Sequence, residues 1–162
     1  MGKCVLARVD FRLIHGQVIT KWVKTTGAEK IIIVDNKLAN DAFMGKIYAN
    51  AAPKGIKVQI HTVEEAAAEW KENQFGEGNV MVLFKNIGVC YEALKDGVTL
   101  KRLQLGGIPN EPGKKKITSE IFVNSDEMQM LKEIAAEGTE IFIQTVPEKQ
   151  VMNYEEIKKR MG

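Results

Sequence analysis

One histidine lies in a segment whose other residues could bind an anion. The segment is Arg8-Val9-Asp10-Phe11-Arg12-Leu13-Ile14-His15-Gly16-Gln17-Val18, and it follows the first apolar run of the chain. Arg8 and Arg12 precede His15, and a guanidinium group suits phosphate oxygens because its donors form a planar fork. A helix predicted to begin near Gly16 or Gln17 would place free backbone N–H groups and the positive end of its dipole beside the imidazole.

An imidazole in these surroundings could carry a phosphoryl group. Histidine forms covalent intermediates, and its ordinary pKa of about 6.5 leaves it mostly neutral at pH 7. The helix N-terminus and the two arginines would lower the pKa of His15 further and would stabilise a transferring phosphoryl group. The residues also allow a simpler interpretation, in which His15 caps the helix, Asp10 and Arg12 form an ion pair, and Gly16 permits a tight turn.

The sequence offers little support for other chemistries. Gly107 and Gly113 enclose five residues where a phosphate-binding loop has four, and no serine or threonine follows for magnesium. The two histidines, His15 and His61, stand far apart and no Cys-x-x-Cys occurs, so we expect no metal site. A phosphoryl group carried on histidine would also need no nucleotide or other cofactor. A nucleophilic pair of Cys4 with His15 is a second hypothesis. His61 is interpreted as a structural residue at the end of a strand.

The composition excludes several classes of protein. The 162 residues carry a formal net charge of +2, so no excess of positive charge predicts nucleic-acid binding. No apolar run approaches the roughly 18 residues of a membrane span, and charged residues interrupt the apolar stretch that could have formed a signal peptide. Two cysteines are too few for a disulfide scaffold. We therefore expect a cytoplasmic protein with one domain over residues 1–162.

Short β-branched runs alternate with segments that have helical patterns. The runs are Cys4–Ala7, Ile31–Val34, Val58–Ile60, Val80–Phe84, Arg102–Leu105 and Glu140–Ile143. Runs of this kind are typical of strands buried on both faces of a parallel sheet. The alternation predicts an α/β fold, with a mostly parallel twisted sheet and helices on both faces. Ile117 and Ile121–Val123 suggest short or antiparallel strands.

The predicted helices have recognisable ends. The segment 41–52 carries apolar residues at a spacing of four. Three pairs have the spacing of a capping box: Thr62 with Glu65, Asn124 with Glu127, and Asn153 with Glu156. Glycines stand where helices should end and strands begin, at positions 27, 55, 97 and 138.

The His15 segment resembles the active-site loop of IIB components of the mannose/fructose/sorbose class of the bacterial phosphotransferase system. Further similar features are Leu83-Phe84-Lys85-Asn86 after the fourth strand, Leu105-Gly106-Gly107 after the fifth, and Val146-Pro147 near the end. The resemblance covers nearly the whole chain, and the length matches a IIB domain without a fused IIA domain.

The resemblance implies a phosphocarrier without a cofactor. A phosphorylated IIA protein would donate the phosphoryl group to His15, usually at Nδ1, and His15 would pass it to a sugar that enters through membrane IIC and IID subunits. The donor would be a separate chain. The protein would be cytoplasmic and peripherally associated with the permease, and self-association is left open.

The resemblance also implies roles for the neighbours of His15. Arg12 is the first candidate for phosphate contact and Arg8 the second, Asp10 would order the loop, and backbone N–H groups of Gly16 and Gln17 would complete the cradle. The segment Phe84-Lys85-Asn86 would lie beside the loop, because its strand is predicted to neighbour the first.

Two positions depart from the family pattern. Phe11 stands where the family often has a polar residue, which would make the loop more apolar, and Ile87 stands where proline is common.

Two other functions stay open. A regulatory or binding module of the same fold would retain the motif without supplying a transporter. A flavodoxin-like small-molecule binder would have no covalent step.

Overall fold

A seven-stranded sheet forms the centre of the protein in the computed structural model, which describes residues 2–162. The strands are, in chain order, β1 (Lys3–Asp10), β2 (Lys30–Val34), β3 (Lys57–His61), β4 (Asn79–Phe84), β5 (Arg102–Gly107), β6 (Lys115–Thr118), β7 (Ile121–Val123), β8 (Glu140–Ile143) and β9 (Met152–Asn153). The sheet order is β3-β2-β4-β1-β5-β8-β9, parallel except for β9. Strands β6 and β7 form a separate antiparallel pair.

Helices cover both faces of the sheet. They are α1 (Gly16–Thr26), α2 (Asn36–Ala39), α3 (Ala42–Ala51), α4 (Val63–Asn73), α5 (Ile87–Lys95), α6 (Ser125–Ala136) and α7 (Tyr154–Met161). Alternate residues of a strand point to opposite faces, so Ile31 and Ile33 of β2 pack in the cluster that includes Ile19 and Trp22 of α1. Ile32 packs in the opposite cluster, to which α4–α7 contribute. The predicted α/β fold is confirmed.

The sequence signals for helix starts are largely confirmed. Thr62 and Asn124 each form a complete capping box, with α4 and α6 respectively. Asn153 forms one half, accepting from the backbone N–H of Glu156. Two short elements were not predicted: β9, and α2, where the Asp35 side chain accepts from Leu38 N at 2.9 Å. Among residues 2–162, none of the helices has the length and apolar character needed to cross a bilayer.

The strand order brings the carboxyl ends of β4, β1 and β5 together. In the register of these strands, Val9 lies beside Phe84 on one side and Leu105 on the other. The expectation that Phe84 ends a strand next to β1 is therefore confirmed. In open α/β sheets this edge is where ligands bind, and the segment that contains His15 starts there.

Candidate functional site

A tight loop joins β1 to α1 and carries His15. Its backbone turns through a hydrogen bond from Leu13 N to Asp10 O at 2.9 Å, and another from Phe11 N to Gly107 O at 3.0 Å. Leu13 adopts φ = 56°, a left-handed conformation that costs a non-glycine residue about 1–2 kcal/mol. Its side chain is 1% exposed, so burial offsets this strain and holds the loop against the sheet.

Asp10 is the centre of a buried polar network. Its Oδ1 accepts from Arg12 N and Nε, both at 3.0 Å, and its Oδ2 accepts from Arg8 Nη2 at 3.0 Å and Arg12 Nη2 at 3.2 Å. Burial alone would raise the pKa of the Asp10 carboxyl. The hydrogen bonds from Arg12 and the positive charges of both arginines outweigh burial and hold that pKa below its ordinary value.

Arg8 points into the protein and not toward solvent. Its side chain is fully buried, and its guanidinium donates to Asp10, to Gln104 Oε1, and at 3.0 Å to the backbone carbonyls of Gln144 and Thr145. Burial is the largest cause that lowers its pKa. The direct phosphate contact that the resemblance implied for Arg8 does not match this position, because protein groups surround the guanidinium on all sides.

Two glycines of β5 leave the space that this network needs. A Cβ on Gly106 would lie 2.1 Å from Arg8 Cζ, and a Cβ on Gly107 would lie 2.8 Å from Arg12 Nη2 and 2.9 Å from Asp10 Oδ1. At such distances a side chain on either glycine would have to displace the arginine or aspartate groups of the network. The Leu105-Gly106-Gly107 feature therefore has a steric reason: the backbone of β5 forms one wall of the network.

His15 is the N-cap residue of α1, yet its side chain does not cap the helix. The ring is 23% exposed, and its Nε2 lies 3.1 Å from Asp10 Oδ2. A neutral imidazole that donates from Nε2 to this carboxylate carries its lone pair on Nδ1. Nδ1 makes no hydrogen bond to residues 2–162.

The pKa of His15 is lowered from its ordinary value, as expected, but the main cause differs from the expected one. Burial contributes most, and the positive charges of Arg12 and Arg8 add to it, while the Asp10 carboxylate acts in the opposite direction. The balance favours the neutral imidazole, which is the nucleophilic form.

Arg12 lies on the solvent side of Asp10. Its side chain is 39% exposed, and its guanidinium carbon lies 5.2 Å from the centre of the Phe11 ring. Phe11 is itself 39% exposed. Since Nε and Nη2 both bond to Asp10, the guanidinium is held in one orientation at the loop surface, where an incoming anion could reach its remaining donors.

The other predicted site residues surround this loop. Gly16 and Gln17 are exposed in the first turn of α1, where backbone N–H groups have no partner within the helix. Phe84 is buried, whereas Lys85 and Asn86 are exposed. With Phe11, these two residues line an open groove of about 420 Å³. The Asn86 side chain also caps α5, accepting from Val89 N at 2.9 Å.

Gln104 and Trp22 are parts of the network that sequence reasoning did not assign to it. Gln104 is 1% exposed, and Trp22, expected only to pack, donates from Nε1 to Thr145 O at 3.1 Å while its ring lies 5.7 Å from the Arg8 guanidinium. A glutamine inside the apolar run 102–105 was the one available signal. The carbonyls that Arg8 binds have no sequence signal, because every residue has one.

The alternative nucleophiles lie elsewhere. Cys4 stands near the start of β1, at the opposite end of the strand from Asp10, and burial raises its pKa to about 11. The hypothesis of a pair between Cys4 and His15 is therefore wrong. His61 ends β3, and strands β2 and β4 separate it from β1; its Nε2 lies 2.6 Å from Glu69 Oε2.

Comparisons with known proteins agree on one family. The family model described as "PTS system sorbose subfamily IIB component" matches residues 4–161. The chain is 34% identical over 141 residues to the sorbose-specific EIIB component of Klebsiella pneumoniae, covering 87% of this chain and 86% of that protein.

Solved structures are also similar over nearly their whole length. The crystal structure of manxB from Thermoanaerobacter tengcongensis matches with a TM-score of 0.92 and 35% identity, covering 99% of this chain and 97% of that one. The IIBSor domain of the sorbose permease from Klebsiella pneumoniae matches with a TM-score of 0.90 and 32% identity, covering 97% of each chain.

Proposed function

Since the chain belongs to the sorbose subfamily of phosphotransferase-system IIB components, we propose that His15 is the residue that carries its phosphoryl group. The family resemblance of the His15 segment is confirmed, and with it the activity: the chain is a sugar phosphotransferase subunit that accepts phosphate from IIA and passes it to the sugar. The comparisons favour this function over a regulatory or binding module.

The observation that carries the assignment to His15 is the hydrogen bond between Nε2 and Asp10 Oδ2 at 3.1 Å. It directs the lone pair of the neutral ring to Nδ1. Nδ1 attacks the phosphorus of the phosphohistidine on IIA, an N–P bond forms, and the donor N–P bond breaks with its electron pair returning to the donor imidazole. The ring of His15 becomes positively charged, and the Asp10 carboxylate stabilises that charge.

The return step uses the same groups. A sugar hydroxyl oxygen attacks the phosphorus, the Nδ1–P bond breaks, and its electron pair returns to the imidazole while the hydroxyl proton passes to solvent. We assign to Arg12, and to the backbone N–H groups of Gly16 and Gln17, the stabilisation of phosphoryl oxygens in both steps. Asp10 orders the loop, and Arg8 holds Asp10 in place.

The partners follow from the family. A IIB component works with IIA on the donor side and with IIC and IID permease subunits on the acceptor side. We place this chain in the cytoplasm, docked peripherally on the permease. The exposed Phe11 of the loop and the exposed Lys85 line the same groove, and we expect both partners to contact these two residues.

The test is intact mass after incubation with a phosphorylated IIA protein. Wild type should gain one phosphoryl group that is stable in base and labile in acid, and His15→Ala should gain none. His61→Ala serves as the matched control and should be phosphorylated like wild type. A phosphoryl group that persists in His15→Ala would place the chemistry on another residue.

Onward transfer separates the carrier from a regulatory module. Phosphorylated wild-type protein is mixed with membranes that contain the matching IIC and IID subunits and with mannose, fructose, sorbose or a hexosamine. Formation of one sugar phosphate, with loss of the phosphoryl group from the protein, is the expected result. Phosphorylation that never leaves the protein with any sugar would contradict the carrier function.

A further inference from the structure

A buried polar cluster lies behind Asp10, on the side away from solvent. Arg8 is at its centre, and Gln104 lies beside it because the two residues are register partners in β1 and β5. Arg8 Nη1 donates to Gln104 Oε1 and to Gln144 O, and Nη2 donates to Asp10 and Thr145 O. Four hydrogen bonds thus bind the two terminal nitrogens of one guanidinium.

We propose that Gln104 is a positioning residue for phosphoryl transfer, which sets the orientation of Arg8 and, through Asp10, the tautomer and position of His15. The proposal rests on the proposed function of His15 as the phosphoryl carrier. Gln104 touches neither His15 nor the phosphoryl group. It acts through two intermediate side chains.

The planarity of the guanidinium couples the orientations of its two terminal nitrogens, Nη1 and Nη2. Because all its nitrogens lie in one rigid plane, an acceptor that fixes Nη1 also fixes the direction in which Nη2 donates. Gln104 supplies the side-chain acceptor at Nη1, and Nη2 meets Asp10 Oδ2, the oxygen that also receives His15 Nε2. A rotation of the Arg8 guanidinium would therefore displace Asp10 Oδ2. The hydrogen bond from His15 Nε2 to that oxygen, which places the lone pair on Nδ1, would change with it.

A glutamine at this buried position lowers the stability of the fold unless its side-chain oxygen makes a useful contact. The side chain is 1% exposed, and its Nε2 is buried without a hydrogen-bond partner among residues 2–162. Burying an unpartnered amide nitrogen costs free energy that an apolar side chain of the same size would avoid. What the glutamine supplies is the Oε1 acceptor, which binds Arg8.

The variant Gln104→Met tests the proposal because it keeps the side-chain length and removes the acceptor. The readout is the tautomer and titration of His15 in the unphosphorylated protein, by ¹⁵N NMR of the ring nitrogens. We expect the Nε2–H tautomer, dominant in wild type, to give way to a mixture. The charged groups that face His15 are Asp10, Arg12 and Arg8, and displacement of Arg8 should raise the titration midpoint.

The rate of phosphorylation by phospho-IIA is measured on the same samples. We expect it to fall about tenfold in Gln104→Met, as is common when a residue that orients a reacting group is lost. Gln59→Met is the matched control, since Gln59 also has a buried, unpartnered amide oxygen but lies on β3. It should leave the tautomer, midpoint and rate as in wild type.

A second variant covers failure of the first to fold. Gln104→Glu keeps an acceptor oxygen for Arg8 and should retain the Nε2–H tautomer. A folded Gln104→Met with wild-type tautomer and rate would overturn the proposal, as would loss of the tautomer in a folded Gln104→Glu. Failure of the proposed function would show separately, as absence of a phosphoryl group on His15 in the wild-type protein.

Discussion

Asp10 connects the stability of the site to its chemistry. A fully buried carboxylate needs partners, and Asp10 finds them in Arg8, Arg12 and His15. The same contacts hold His15 Nε2 and keep Arg12 at the surface. One residue thus serves both the loop structure and the proposed nucleophile, so its substitution should affect both.

The variant Asp10→Asn should destabilise the protein and slow phosphorylation. Arg8 would remain buried without its carboxylate, and loss of one partner of a buried ion pair costs about 3–5 kcal/mol. The free energy of unfolding, measured by urea titration, should fall by that amount. Asp41→Asn is the control, because Asp41 is an exposed N-cap and asparagine caps equally well. Equal effects of both substitutions would contradict this account.

The pH dependence of His15 follows from its surroundings. Because its pKa is lowered in the folded protein, the unfolded chain binds the proton more readily, and the contribution of His15 to stability is lost as pH falls below about 6.5. The neutral, nucleophilic form should likewise persist below pH 6.5. An NMR titration of wild type with a midpoint at or above 6.5 would be inconsistent with this environment.

The variant Arg12→Gln should move that midpoint upward, since the charge of Arg12 lowers the His15 pKa. It should also slow phosphorylation by about 10²-fold, as expected for loss of a group that stabilises transition-state charge. Arg102→Gln is the control, because Arg102 is the first residue of β5 and lies at the opposite end of that strand from the site. If both arginine variants transfer at the wild-type rate, Arg12 does not contact the phosphoryl group.

At the scale of elements, β5 contributes to the site with its backbone as much as with its side chains. Its last two residues, Gly106 and Gly107, allow Arg8, Asp10 and Arg12 to pack against the strand. The loop after β1 in turn bonds to Gly107 O. The site is therefore built between neighbouring strands, and the close approach of β5 is a condition for it.

The variant Gly106→Ala should disturb the network without touching His15. The new Cβ would lie 2.1 Å from Arg8 Cζ, and overpacking of this kind costs about 1–3 kcal/mol. We expect a lower free energy of unfolding and slower phosphorylation. Gly45→Ala is the control: Gly45 lies in α3 with space for a Cβ, and alanine should stabilise that helix slightly. Wild-type behaviour of Gly106→Ala would mean that Arg8 is free to move.

The start of α5 depends on Asn86, whose side chain accepts from Val89 N. Asn86→Ala should lower the free energy of unfolding by about 1 kcal/mol, because the helix loses its cap. Asn86→Asp retains the acceptor and should restore stability. Thermal or urea denaturation measures the stability of the two variants. Equal stability of Asn86→Ala and Asn86→Asp would show that the cap contributes nothing.

At the scale of the whole molecule, the two cysteines differ in burial: Cys90 is fully buried and Cys4 only partly. Burial raises the pKa of Cys4 to about 11 and raises that of Cys90 further, on the inner face of α5. The thiolate is the reactive form, so in the native protein at pH 8 Cys90 should not react appreciably with a disulfide reagent, and Cys4 should react more slowly than an exposed thiol. Both should react at once in denaturant. Rapid labelling of Cys90 in the native state would reveal opening of the core.

Local patterns were enough to predict much of this protein. Short, nearly continuous apolar runs predicted the six strands of the parallel part of the sheet, and capping residues such as Thr62 and Asn124 marked helix starts, because both signals involve residues close in the chain. The His15 segment allowed the chemistry to be proposed for the same reason: its proposed nucleophile, its arginines and the helix start are close in the chain.

The direction of Arg8 and the part played by Gln104 depended on the tertiary structure. These residues stand 96 positions apart, and no local pattern records that β5 pairs with β1 and places their side chains together. The backbone carbonyls of Gln144 and Thr145 come from the segment that directly follows β8, a third strand. A buried charge is stabilised by whatever groups the folded chain brings to it, so only the strand order decided that Arg8 faces inward while Arg12 remains at the surface.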